Sequence, residues 1–143
     1  MKDVASEVKN VIAVEPQTAT YNGTITGEIL DKKGYESAIF NMVTGAVGAA
    51  VSAIQISWYI QHGESTLLTD AAYATGFGQT ISAATSIAGR KVNSQLAVDL
   101  TALNRYIRVY ATASLSWGGT GTTPTVPVTV IGTLGMARNK PPV

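Results

Sequence analysis

Residues 51–61 read Val51-Ser52-Ala53-Ile54-Gln55-Ile56-Ser57-Trp58-Tyr59-Ile60-Gln61. Ile54, Ile56, Trp58 and Ile60 alternate with Gln55, Ser57, Tyr59 and Gln61, the period of a half-buried strand. The reading is decisive because no Asp, Glu, Lys or Arg stands between Glu36 and Glu64. An uncharged run of that length exceeds the ~20 residues needed to cross a bilayer as a helix. A lipid-facing helix would not place a polar side chain at every second position through half its length. Gly45 and Gly48 interrupt the run, so it reads as two strands joined by a glycine-containing loop. The opening Met1-Lys2-Asp3-Val4 carries an acid where a signal peptide would carry its apolar stretch.

The rest of the 143-residue chain agrees with a β reading. Eighteen Thr and fourteen Val stiffen the backbone for pleated surfaces, and fourteen Gly punctuate turns. Charged residues are only 13% against 45% hydrophobic, about half the usual charged share. The formal charge of +1 gives little field to attract nucleic acid or an anionic membrane. With no cysteine and one histidine, His62, disulfide frameworks, cysteine-ligated zinc, thiol nucleophiles and two-imidazole mechanisms are excluded. Residues 1–71 hold eight acids and four bases, whereas residues 72–143 hold Asp99 and six bases. That asymmetry is either smoothed out by folding or displayed as opposite-signed surfaces that meet in an assembly.

Working outward, Val4, Val8, Val11 and Ile12 share one side at helical spacing behind a candidate N-cap, Asp3. Residues 1–16 are therefore expected as an arm or short helix ended by Pro16. Asn22-Gly23 and Asp31-Lys32-Lys33-Gly34 mark turns. Glu36–Val43 reads as a strand with Ala38, Phe40 and Met42 on one face. His62-Gly63-Glu64-Ser65 marks a turn, with residues 66–73 returning as its hairpin partner. Residues 74–89 give no clear pattern beyond one weak strand near Gln79–Thr85, and Val92–Leu100 alternates again. Asn104–Leu115 turns Ile107, Val109, Ala111, Ala113 and Leu115 one way, and Tyr106, Arg108, Tyr110, Thr112 and Ser114 the other. The last strand, Thr125–Leu134, has Val126, Val128, Val130 and Leu134 as its inner face. Pro127 lies on the opposite register and suits an edge. The expected architecture is all-β, a two-sheet, jelly-roll-like sandwich of about seven or eight strands over residues 17–134, with a tail at 135–143. Its main rival makes the Ala-rich stretches at 46–53 and 83–88 helical.

Candidate chemistry is sparse. His62 and Asp70 lack the Gly-x-Ser-x-Gly elbow that would make a triad convincing. Glu64 and Asp70 are too few to cage a hard cation. Gly118-Gly119-Thr120-Gly121 lacks the Gly-Lys-Ser/Thr ending of a phosphate loop. No cofactor, metal site or catalytic residue is expected. Arg105-Tyr106-Ile107-Arg108-Val109-Tyr110 is the most distinctive string. On a strand, Tyr106, Arg108 and Tyr110 share a face, where an aromatic–guanidinium–aromatic ladder can stack on itself, a sugar ring, a base or a neighbouring subunit.

Two resemblances follow from these motifs. Arg105-Tyr106-Ile107-Arg108-Val109 resembles a strand of discoidin-type carbohydrate-binding sandwiches. The wider layout is similar to small virion structural proteins of tailed bacteriophages. It opens with Met1-Lys2-Asp3-Val4-Ala5-Ser6, and the Trp58/Tyr59 strand runs into Gly63-Glu64-Ser65 and then Leu68-Thr69-Asp70-Ala71-Ala72. Asn104-Arg105-Tyr106-Ile107-Arg108-Val109-Tyr110, a Gly/Thr loop, Pro127-Val128-Thr129-Val130 and a basic, proline-containing tail complete it. The second resemblance implies a non-enzymatic head decoration protein on the capsid surface of the virion. Its partners would be the major capsid protein and further copies of itself, as a dimer or trimer, without nucleic acid or membrane. Contacts are expected at Val4, Val8, Val11, Ile12, Tyr106, Arg108, Tyr110, Arg138 and Lys140. The alternatives are a glycan-binding module using Tyr106, Arg108, Tyr110 and Trp117, or a tail component.

Overall fold

The computed structural model describes residues 8–46, 51–84, 93–117 and 125–137. Its elements are β1 (Val8–Thr20), β2 (Thr24–Thr26), β3 (Leu30–Asp31), β4 (Tyr35–Thr44), β5 (Val51–Gly63), β6 (Ala72–Ala84), β7 (Asn93–Asp99), β8 (Tyr106–Trp117) and β9 (Thr125–Ala137). They form two antiparallel sheets, ordered β1-β9-β4-β7 and β2-β8-β5-β6, with β3 also pairing to β8. This is the strand order of a jelly roll whose second strand is broken into β2 and β3. No helix among the described residues is long and apolar enough to cross a membrane.

The alternating sequences explain the layers. Ala38, Phe40 and Met42 of β4 face Ile54, Ile56, Trp58 and Ile60 of β5 and Ile107, Val109, Ala111, Ala113 and Leu115 of β8. Val126, Val128, Val130 and Leu134 of β9 complete one core. Each fully buried large side chain contributes about 1.5–3 kcal/mol relative to exposure. The uncharged stretch from β4 to β5 is thus one strand from the middle of each sheet, whose apolar halves meet face to face.

Several expectations are corrected. The short-helix alternative for residues 1–16 fails from Val8 onward, because Val8–Thr20 pairs along β9. In the strand Val8 and Ile12 point outward, while Val11 packs against the core. Pro16 does not end the element. It lies at a register shift between Val14 and Gln17 of β1, an edge strand where a missing N–H is tolerated. Pro127 is not on an edge, since β9 is flanked by β1 and β4. Its carbonyl accepts from the Gly45 N–H at 2.7 Å, just past the last β4 pair, Thr44 with Val128. An N–H here would point the same way, past the last β4 pair, so the proline falls at the end of the β4–β9 ladder rather than within it. The hairpin partner of β5 begins at Ala72, not residue 66, and continues through Ala84 as a full strand. Residues 83 and 84 belong to that strand and Val51–Ala53 belongs to β5, so these parts of the two Ala-rich stretches are not helical, and 47–50 and 85–88 lie outside the described residues. The tail was expected from residue 135, yet Gly135 pairs with both Ser37 and Val8.

The Asn22-Gly23 turn carries the chain between sheets rather than closing a hairpin. Asn22 takes φ +49°, a left-handed conformation that asparagine tolerates. Between β2 and β3 the chain bonds to both layers. The Gly27 N–H donates to the Val109 carbonyl of β8 at 2.8 Å, and the Glu28 N–H to the Ala13 carbonyl of β1 at 2.9 Å. Ala13 is the extra residue of a bulge between Ile12 and Val14. Its buried carbonyl, left without a rung on β9, therefore finds its donor across the sandwich.

Candidate functional site

The two outward faces differ in chemistry. On the β1-β9-β4-β7 sheet, Ile12 pairs with Ile131 and Asn41 also pairs with Ile131. Ile12 is 57% exposed and Ile131 47%, and Val8, Ile39 and Val43 are exposed beside them. The polar positions between them hold uncharged groups. Gln95 Nε2 donates to Asn41 Oδ1 at 3.0 Å, and the Thr133 hydroxyl to Asn10 Oδ1 at 2.9 Å. No Asp, Glu, Lys or Arg occupies the outward positions from Val8 to Ile12, Ile39 to Val43, Gln95 to Ala97 or Thr129 to Thr133. The face is a set of β-branched side chains spaced by amides and hydroxyls.

The outward face of the β2-β8-β5-β6 sheet is aromatic. Pairing sets Tyr59 beside Tyr110, Gln61 beside Arg108 and Gly63 beside Tyr106, with Tyr73 across from Gln61. The Tyr73 ring stands edge-on to Tyr59 at 5.7 Å and to Tyr110 at 6.0 Å between centroids. Arg108 does not complete an aromatic ladder. Its Nε donates to Gln61 Oε1 at 2.7 Å, and the guanidinium lying over Tyr106, at 5.1 Å, is that of Arg105. Trp117 lies away from this group, edge-on to Tyr21 at 5.0 Å.

Arg105 also joins the two differently charged halves of the chain within one molecule. Its Nη2 meets Asp31 Oδ2 at 2.6 Å while Nε reaches both carboxylate oxygens. That hydrogen bonding, helped by the Lys33 N–H, holds the Asp31 carboxyl below its ordinary value of 3.8. Asp70 is lowered chiefly by the Glu64 N–H, and Asp99 chiefly by the Thr101 hydroxyl. Each group is more acidic folded than unfolded. Its stabilisation is therefore complete above the unfolded value and is lost as pH falls through the folded one. Thermal unfolding is expected to be flat from neutral pH to about pH 5 and to drop below about pH 4. Arg105→Gln should shallow that decline only slightly, because both side chains of the pair are largely solvated. Scanning calorimetry across pH checks this, and an unchanged midpoint down to about pH 2 would contradict it.

His62 and Asp70 have structural work. His62 Nδ1 accepts the Asn104 N–H at 3.0 Å, which ties the end of β5 to the loop before β8. Asp70 accepts the Glu64 and Ser65 N–H groups at 2.7 and 3.2 Å, closing the β5–β6 connection. Both Asp70 oxygens are thereby engaged by backbone.

The expected contact residues divide between the two faces. Val8 and Ile12 stand on the neutral face, Tyr106, Arg108 and Tyr110 on the aromatic one, and Val11 turns inward. Val4, Arg138 and Lys140 lie outside the described residues, as does the Gly/Thr loop at 118–124. Sequence reading did not single out Ile39, Val43 and Ile131, although apolar β-branched residues at outward positions were their signal. Nor did it bring Tyr73 to Tyr59 and Tyr110. That meeting depends on β6 register, which shifts between Tyr59–Gly78 and Gln61–Tyr73. Four residues, 74–77, stand opposite the single Ile60, a bulge that local pattern does not reveal.

No protein-family model matches the chain, and no curated protein sequence matches it. Solved structures do. A chain in the structure of infectious bursal disease virus Gt strain is similar with a TM-score of 0.57 at 13% identity, over 94% of this chain and 33% of that one. The infectious bursal disease virus VP2 subviral particle matches with a TM-score of 0.52 at 14% identity, over 94% and 34%. The PBSX exported protein XepA matches with a TM-score of 0.51 at 10% identity, over all of this chain and 42% of that one. The chain thus spans about a third of the length of the viral chains it matches. At these identities the likeness establishes the sandwich fold.

Proposed function

We propose that the chain is a non-enzymatic virion structural protein that decorates the outer surface of an icosahedral bacteriophage head. The observation that carries this reading is the uncharged face around Ile12 and Ile131. Covering it leaves ions in water except at its ends, where Lys9 and Asp99 are exposed, and removes β-branched apolar surface from water, about 25 cal/mol for each Å². An exposed apolar patch rimmed by amides and hydroxyls is the usual mark of a protein-contact surface. The sandwich shared with the VP2 subviral particle, and the resemblance of the sequence motifs to small phage virion proteins, support a place in a shell. In this reading the neutral face packs on the major capsid protein, and the aromatic face on the opposite sheet looks outward. Association of copies as a dimer or trimer would make individually weak shell contacts durable through multivalency.

Quantitative mass spectrometry of purified particles tests the reading. The expected result is a copy number in simple ratio to the major shell protein, and absence from the particles overturns it. Ile131→Lys supplies the residue-level test. Its side chain projects away from the core, so the unfolding midpoint should move by no more than a few degrees. Placing an ammonium at the centre of a dry contact should lower particle occupancy at least about tenfold, or about 1.4 kcal/mol per site. Undiminished occupancy would show that this face does not meet the shell.

A further inference from the structure

The aromatic face lies on the sheet opposite the neutral one, and its chemistry is separate from the question of whether the chain resides on a particle. Three tyrosines from three different strands, Tyr59, Tyr73 and Tyr110, gather on a surface where their rings add nothing to the core. The middle ring, Tyr73, is 57% exposed. Tyr59 is seated on Gly78, where a Cβ would come within 2.6 Å of its ring. The bulge at residues 74–77 opens a groove of about 350 Å³ beside it, lined by Tyr59, Ala74, Gly76, Phe77 and Gly78. That volume is near the lower end of small-ligand sites, about 300–1,000 Å³, and Tyr59 is shared between this groove and the tyrosine cluster.

Polar groups stand beside the rings. Gln61 is 7% exposed, and its oxygen fixes Arg108 through Nε at 2.7 Å. The terminal nitrogens of Arg108 and the amide nitrogen of Gln61 have no other partner among the described residues. Arg108 forms no ion pair there, unlike Arg105. A guanidinium held by one edge, with its remaining fork open, is the geometry that takes a carboxylate. A self-contact through a two-fold axis would set this cation against its own copy. Nucleic acid would need more than one cation to gain from counterion release.

We propose that this face binds acidic sugar residues of a polysaccharide, with the pyranose ring against Tyr73 and its carboxylate on Arg108. Saturation-transfer NMR with the full-length protein and three probes tests it: a hyaluronan tetrasaccharide, a trigalacturonate and neutral cellotetraose. Saturation should pass to the two uronate probes, and at least about fivefold less to cellotetraose, about 1 kcal/mol in affinity. Tyr73→Ala, at an exposed position, should abolish the transfer while folding stays cooperative, with only a modest drop in unfolding midpoint from its two ring contacts. Arg108→Gln should reduce the uronate signals to the cellotetraose level. Should that variant fail to fold, Arg108→Lys, which keeps the charge and loses the fork, should still lower uronate binding. No transfer to either uronate, equal transfer to all three probes, or an unaltered signal in Tyr73→Ala overturns the proposal. Particle occupancy is read separately, so this site and the decoration role fail independently.

Discussion

Ile56→Asp is expected to abolish cooperative folding. Ile56 is completely buried at the centre of β5, paired with Ile81 on β6 and Ala113 on β8. Removing its side chain forfeits about 1.5–3 kcal/mol of apolar burial. The incoming carboxylate must then ionise in a dry layer or fold protonated. A buried carboxyl rises by up to about 3–5 pKa units and so folds protonated, which costs about 1.4 kcal/mol for each pH unit above about 3.9, or of order 4 kcal/mol near neutral pH. Together these reach the whole stability of an ordinary domain, about 5–15 kcal/mol. Far-ultraviolet circular dichroism should show no sigmoidal urea transition. Because the cost grows as the carboxyl is asked to ionise, residual structure should increase on acidification to about pH 5. The neighbouring Ser57→Asp is the control. Ser57 lies on the other face, where its hydroxyl shares a hydrogen bond with Thr80 at 3.0 Å, and its replacement should cost only about 1 kcal/mol. A cooperative Ile56→Asp protein with wild-type midpoint would mean that the inner and outer faces of β5 are exchanged.

The same contrast explains how much of the molecule was legible from its residues. Where one strand face is buried and the other wet, alternation is a direct record of the fold. It placed Ile54 to Ile60, Ile107 to Leu115 and Val126 to Leu134 on their correct sides. It failed where a strand departs from period two. β1 carries bulges at Ala13 and near Pro16, which bring Ala13 and Val14 both into the core, and before them outward Val8 and Ile12 with inward Val11 imitate helical spacing. β6 carries a four-residue excursion at 74–77 opposite Ile60, so Ala, Gly and Thr there showed no pattern. Pro127 looked like an edge residue because local chemistry cannot tell where the partner strand stops. The site was half legible for the same reason. Tyr106, Arg108 and Tyr110 share a strand and announced their common face, whereas Tyr59 and Tyr73 join them only through pairing between strands. Outward isoleucines and valines left no local signal stronger than their departure from polarity.

Gly27→Ala should be the most damaging added methyl group among the described glycines. A Cβ at this position would stand 2.3 Å from the Ala13 carbonyl oxygen, 2.9 Å from the Val109 carbonyl oxygen and 3.0 Å from Val14 Cγ2. Neither oxygen is free to retreat. Val109 O accepts the Gly27 N–H itself, and Ala13 O accepts the Glu28 N–H. One carbonyl belongs to each sheet, so relieving the clash means parting the layers or breaking a rung that joins them. Overpacking costs about 1–3 kcal/mol, and orphaning a buried backbone group about 1–3 more. A loss of roughly 3–6 kcal/mol follows, visible as a lower urea midpoint with unchanged slope. Gly135→Ala is its counterpart in β9. There the nearest atom to the new methyl is Ser37 Oγ at 3.5 Å, an ordinary contact, and alanine restricts the unfolded chain more than glycine does. That variant should be neutral or more stable by up to about 1 kcal/mol. If both variants unfold alike, glycine content is merely a strand-propensity effect here. If only Gly27→Ala collapses, the close crossing between β2 and β3 is what fastens the two sheets together.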